Sequence, residues 1–82
     1  MDDQRVTQIF GDGPDTWLAT NRKLFRSDSS LRWTLRRHRE RLIKVGALVL
    51  MRGAWFAVEP KFTRELLKIG RQEALDAVRE AA

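Results

Sequence analysis

The sequence predicts an α+β domain that is mainly α, with three helices and one two-stranded β-hairpin. Three observations predict it. Apolar residues recur at helical spacing in three separate stretches, two short apolar runs flank an Arg-Gly pair, and glycine, proline and serine clusters punctuate the intervals between them. A chain of 82 residues makes one small domain. Its 43% hydrophobic content, with three Trp and four Phe, suffices for a compact core.

Each element follows from its residues. Residues 1–13 are a polar lead-in rich in Gly and Asp, expected to be flexible or loosely packed, although Val6, Ile9 and Phe10 could touch the core. Pro14 suits a first helical turn and Asp15 its positive end. Trp17, Leu18, Asn21, Leu24 and Phe25 then keep helical spacing, so the first helix is expected from about Pro14 to Phe25. Ser27-Asp28-Ser29-Ser30 is a cap cluster whose short side chains accept hydrogen bonds from free N–H groups. The second helix follows, with Leu31, Leu35, His38, Leu42 and Val45 within roughly 80° of arc at about 100° per residue and Thr34 beside them. Gly46 ends it as a C′ residue.

Ala47–Met51 and Ala54–Val58 are β-prone runs around Arg52-Gly53. With those two residues as the loop, Leu50 faces Trp55 and Val49 faces Phe56. Both faces of the hairpin are then apolar. One packs on the helices, and the other needs cover from the C-terminus, a partner subunit or DNA sugars. Pro60 opens the third helix, whose buried stripe is Phe62, Leu66 and Ile69. Gly70 interrupts that stripe, and Ala74, Leu75 and Val78 lie on another side. A break at Gly70, or docking of the last segment elsewhere, is therefore expected. Residues 14–70 form the domain and residues 71–82 a helical extension.

Composition excludes several classes of function. There is no cysteine, hence no disulfide framework, thiol nucleophile or Cys-based zinc site. The acidic start, Met1-Asp2-Asp3-Gln4-Arg5, is no signal peptide, and no stretch approaches the roughly 20 apolar residues needed to cross a bilayer. The reading is a cytoplasmic, nucleoid-associated chain with no membrane partner. The single histidine, His38, sits on the apolar stripe and reads as a core-edge residue with one hydrogen bond. Asp2, Asp3, Asp12 and Asp15 read as solvated charge. Gly11 and Gly13 lack the Lys-Ser or Lys-Thr of a phosphate loop. There is no tyrosine nucleophile, and Ser27, Ser29 and Ser30 have no nearby base and read as caps. The expectation is a non-enzyme with no catalytic residue, metal, cofactor or small-molecule ligand.

Charge is where the sequence speaks. The net +5 is concentrated: residues 21–45 carry nine Lys or Arg against Asp28 and Glu40. On the second helix Arg32, Arg36 and Arg39 share one flank, and Arg37, Arg41 and Lys44 share the other. Trp33 and Glu40 lie between them, opposite the core stripe. Only Glu40 is placed to pair along the helix, with Arg36 or Lys44. A helix fits the major groove of B-DNA, where flanking arginines reach phosphates and central ones reach guanine edges. Ser29, Ser30, Arg32, Trp33 and Arg36, near the helix start, would lie deepest. Trp33 is expected to pack beneath the first helix or the C-terminal segment, the alternative being a stack on sugar or base.

The element order, with the stretch Leu24-Phe25-Arg26-Ser27-Asp28-Ser29-Ser30-Leu31-Arg32, resembles winged helix-turn-helix DNA-binding proteins. Ser27 stands where a capping Ser is usual and Leu31 where an aliphatic anchors the second helix. The later stretch, Arg52-Gly53, Trp55-Phe56-Ala57-Val58, Glu59-Pro60 and Phe62, resembles the wing and following helix of small excisionase-like proteins from phages and integrating elements. The resemblance covers about residues 14–70. The chain departs from it at Phe25 and Arg26, where small and aliphatic residues are usual, and in the greater length of its basic helix.

This resemblance implies a two-stranded wing and duplex DNA as partner, with possible homodimers or copies side by side. The helix role falls on Arg32, Trp33, Arg36, Arg37 and Arg39, and the wing role on Arg52, which would touch the backbone or minor groove. Lys44 extends the basic surface. The implied function is an architectural factor in recombination or a small transcriptional regulator of a mobile element. The rival readings are an RNA-binding module and a phage-type interaction or inhibitor domain that binds an acidic protein surface.

Overall fold

A computed structural model describes residues 4–81 as three helices and a three-stranded antiparallel sheet. In chain order these are β1 (Arg5–Gln8), α1 (Trp17–Thr20), α2 (Asp28–Lys44), β2 (Leu48–Met51), β3 (Ala54–Glu59) and α3 (Lys61–Ala81). The strands lie in the order β1-β3-β2.

The hairpin forms in the expected register, with Leu50 opposite Trp55 and Val49 opposite Phe56. Its turn places both Arg52 (φ 52°) and Gly53 (φ 75°) in the left-handed region, as a two-residue hairpin loop of the I′ kind requires. The hairpin does not stand alone, however. Part of the lead-in expected to be loose is strand β1, which pairs Val6 with Val58 and Gln8 with Phe56. Met1, Asp2 and Asp3 lie outside the described residues. Just beyond β1, Ile9 donates its N–H to the Trp55 carbonyl (3.0 Å) and accepts from Leu18 N (3.2 Å). Its side chain is fully buried. The run Arg5–Phe10 has no strict polar–apolar alternation, and it is the edge offered by β3 that makes residues 5–8 a strand.

The first helix is shorter than expected. It starts at Trp17 and not at Pro14, capped by Thr16, whose Oγ1 accepts from Ala19 N (3.2 Å). At the other end Thr20 Oγ1 donates to the carbonyls of Thr16 and Trp17, and Asn21 Nδ2 donates to Trp17 O (2.7 Å). These side chains take up carbonyls that a continuing helix would use, and residues 21–24 become a turn. Trp17 and Phe25 still meet, at 6.0 Å between ring centroids, so the apolar spacing marks a packed corner rather than a long helix.

Helix α2 begins where the cap cluster places it. Ser27 Oγ accepts from Ser30 N (3.3 Å), and Asp28 occupies the positive first turn. Leu31, Leu35 and Leu42 are buried. Val45 is exposed at the C-cap, a correction to the expected stripe. His38 is half-buried at a kink, with non-helical φ −117° and ψ 15°, and makes no side-chain hydrogen bond to a described residue. Gly46 (φ 78°) then turns the chain into β2.

Helix α3 starts directly after Pro60. Glu59 caps it from outside, accepting from Thr63 N (2.8 Å) and Thr63 Oγ1 (2.6 Å). Phe62, Leu66 and Ile69 are buried as expected. The expected break at Gly70 does not occur: α3 runs on to Ala81, with Ala74, Leu75 and Val78 exposed. One glycine costs a helix about 1 kcal/mol, which neighbouring helix-forming residues offset. The extension therefore does not cover the outer sheet face, where Val6 and Met51 are exposed and Val49 and Phe56 half-buried. The core joins Ile9, Trp17, Leu18, Leu31, Leu35, Leu42, Leu48, Ala57, Phe62, Leu66 and Ile69.

Candidate nucleic-acid interface

With its apolar side turned inward, α2 presents its basic residues outward, and its two flanks meet different neighbours. On one flank the Arg32 guanidinium lies over the Phe10 ring (4.0 Å to the centroid) and that of Arg39 over the Trp55 ring (5.2 Å). Arg36 lies one helical turn from each. Together with Leu35 these residues line a notch of about 90 Å³. Among the described residues, Arg32, Arg36 and Arg39 form no ion pair.

The other flank faces the acidic side of α3. Arg37 pairs with Glu73 (3.7 Å) and Arg41 with Glu65 (3.5 Å). The partners move forward along α3 as the arginines move back along α2, so the two helices run in opposite senses. Lys44 pairs with Glu40 at 3.0 Å, one of the two pairings open to Glu40 from sequence. The two ridges thus differ electrostatically: one is unneutralised, and the other is partly compensated by carboxylates.

Trp33 is not packed beneath another element. It is 56% exposed, and Arg37 lies over its ring at 4.7 Å. Ser29 is exposed in the first turn. The Ser30 hydroxyl is exposed and donates to Ser27 O (3.0 Å), three residues back. Arg52 stands at the hairpin tip, exposed. The structure thus brings Arg32, Arg36 and Arg39 into one surface with Phe10 and Trp55. It groups Trp33, Arg37 and Lys44 with the carboxylates of α2 and α3.

The roles of Phe10, Trp55, Glu65 and Glu73 escaped the sequence reading. The two glutamates lie eight residues apart on α3, and only the packing of that helix against α2 turns them toward the arginines. Phe10 has no local signal, since its place depends on strand β1. No helix is long and apolar enough to cross a membrane among the described residues. No protein-family model, curated protein or solved structure matches the chain.

Proposed function

We propose that the protein binds double-stranded DNA as a small architectural or regulatory factor of the winged helix-turn-helix, excisionase-like kind. Helix α2 lies in the major groove and the β2–β3 turn reaches the flanking backbone or minor groove. The observation that carries this reading is the row Arg32, Arg36 and Arg39, one charged flank without a carboxylate partner among the described residues. Solvated surface helices ordinarily intersperse both signs. An unneutralised row along one flank of a helix favours a polyanion.

The kink at His38 bears on the length of α2. It separates Asp28–Arg37, a straight piece about 15 Å long at 1.5 Å per residue, from the remainder. That piece carries Arg32, Trp33 and Arg36, and a helix about 10–12 Å across suits a groove about 12 Å wide. The segment beyond the kink holds Arg39 and Lys44 for phosphates along the groove edge.

The experiment is a fluorescence titration with duplex DNA at several salt concentrations. Binding that weakens steeply with salt is expected, and binding that is immeasurable at low salt or flat with salt overturns the reading. The exposed indole of Trp33 favours a second reading, a single-stranded or structured RNA partner stacked on that ring. Competition between duplex DNA and structured RNA separates the two.

A further inference from the structure

We propose that the notch formed by Phe10, Arg32, Leu35, Arg36, Arg39 and Trp55 is a preformed phosphate site, and that Phe10 and Trp55 act as its positioning residues. The geometry supplies three parts. Arg32, Arg36 and Arg39 follow one another at four and three residues on a single helix, so their side chains are neighbours. Like charges at that spacing repel, and no carboxylate among the described residues relieves them. The two outer guanidiniums are each laid on an aromatic face, at 4.0 Å and 5.2 Å from the ring centroids.

Stacking holds a guanidinium plane while leaving its N–H edge free to donate. The half-buried rings each face a guanidinium and thereby orient the arginines. Arg36 remains between them with no partner. A tetrahedral oxyanion at this point would receive donors from three guanidiniums, and guanidinium suits phosphate through paired N–H donors. A notch of about 90 Å³ matches a phosphate group in scale, with the rest of a nucleotide extending into solvent. Phe10 follows β1 and Trp55 lies on β3, so an anion here ties the basic helix to the sheet. That the phosphate belongs to a nucleic-acid backbone rests on the reading above; the site for the anion itself does not.

The test uses the full chain with two probes, inorganic phosphate and duplex DNA. Inorganic phosphate is titrated while the side-chain Nε–Hε signals of the arginines are followed by NMR. Saturable shifts confined to Arg32, Arg36 and Arg39 are expected, with the Arg32 shift lost in Phe10→Leu and the Arg39 shift lost in Trp55→Leu. With DNA, Arg36→Gln lowers the slope of log affinity against log salt by about 0.9, one phosphate contact. Phe10→Leu keeps the slope, because no charge is removed, and weakens binding by about 2- to 5-fold. Steep salt-dependent DNA binding with an unchanged slope in Arg36→Gln overturns the phosphate site and leaves the DNA reading standing. Arginine shifts with inorganic phosphate but no DNA binding overturn the DNA reading and support the site. Equal shifts at every exposed arginine overturn the site.

Discussion

Glu73 of α3 lies 3.7 Å from Arg37 of α2, so the helix that closes the fold also places negative charge on the edge of the basic surface. With Glu65 beside Arg41, it makes one flank of α2 less attractive to a polyanion than the other. Neutralising that carboxylate is expected to strengthen DNA binding. Exposed ion pairs are worth about 0.2–1 kcal/mol, so Glu73→Gln is expected to raise duplex affinity by roughly 1.4- to 5-fold at low salt. An unchanged or lower affinity in a titration at fixed salt would show that Arg37 takes no part.

Arg37 and Arg52 are expected to fail in different ways. Arg37→Ala, on the first piece of α2 and outside the phosphate notch, is expected to cost about 1–3 kcal/mol on the preferred sequence and to relax selectivity. Arg52→Asn keeps a residue that tolerates the left-handed turn while removing the charge and the reach of the side chain. It is expected to weaken binding alike for all sequences and to flatten the salt slope by about one contact. Gel shifts against a panel of duplexes measure both. Identical behaviour of the two variants rules out the proposed docking.

Strand β1 is expected to be integral to the fold. Ile9 is fully buried beside it. Ile9→Ala should destabilise the protein by about 2–5 kcal/mol, as large-to-small changes in cores do. Urea unfolding followed by tryptophan fluorescence reads this directly, and a loss below about 1 kcal/mol would mean that the segment is peripheral.

The cap on α3 has a separable energy. Glu59 accepts two hydrogen bonds from Thr63, one of them from an N–H that the helix leaves unpaired. Glu59→Ala is expected to cost about 1 kcal/mol in the same unfolding assay. Glu59→Gln, which keeps an acceptor, is expected to cost less.

Gly70 offers a change in the opposite direction. It lies inside α3, and a Cβ built there meets no atom within 4 Å. Gly70→Ala is expected to add about 0.5–1 kcal/mol, because alanine loses less backbone freedom on entering a helix. A destabilised variant would show that the outer half of α3 is held in a contact that a methyl group disturbs.

Much of this architecture was legible because its signals are local. Ser27 caps the nearest N–H groups, Arg52-Gly53 sets the register of the strands joined to it, and Leu31, Leu35 and Leu42 share a face by spacing alone. The failures arose where a residue's role depends on a distant one. Residues 5–8 are a strand only because β3 offers an edge to pair with. The helical spacing from Trp17 to Phe25 was real as packing and misleading as secondary structure, since Thr20 and Asn21 divert the carbonyls. The same division runs through the candidate site. The arginine row was readable from the helical wheel, whereas the aromatic rings and carboxylates that distinguish its flanks come from elements placed by tertiary packing.

The pairing of β1 with β3 has a consequence for the order of assembly. Val6 and Val58 are neighbours in space and more than half the chain apart in sequence. The β2–β3 turn closes a short loop, so that hairpin can form early. The first strand must wait for its template and for the large loop between them to close. It is then expected to zip onto the sheet last. Phe10 lies just past the buried Ile9, so the ring beneath Arg32 stays in place only while Ile9 is seated in the core, and the basic surface takes its final shape with that late step.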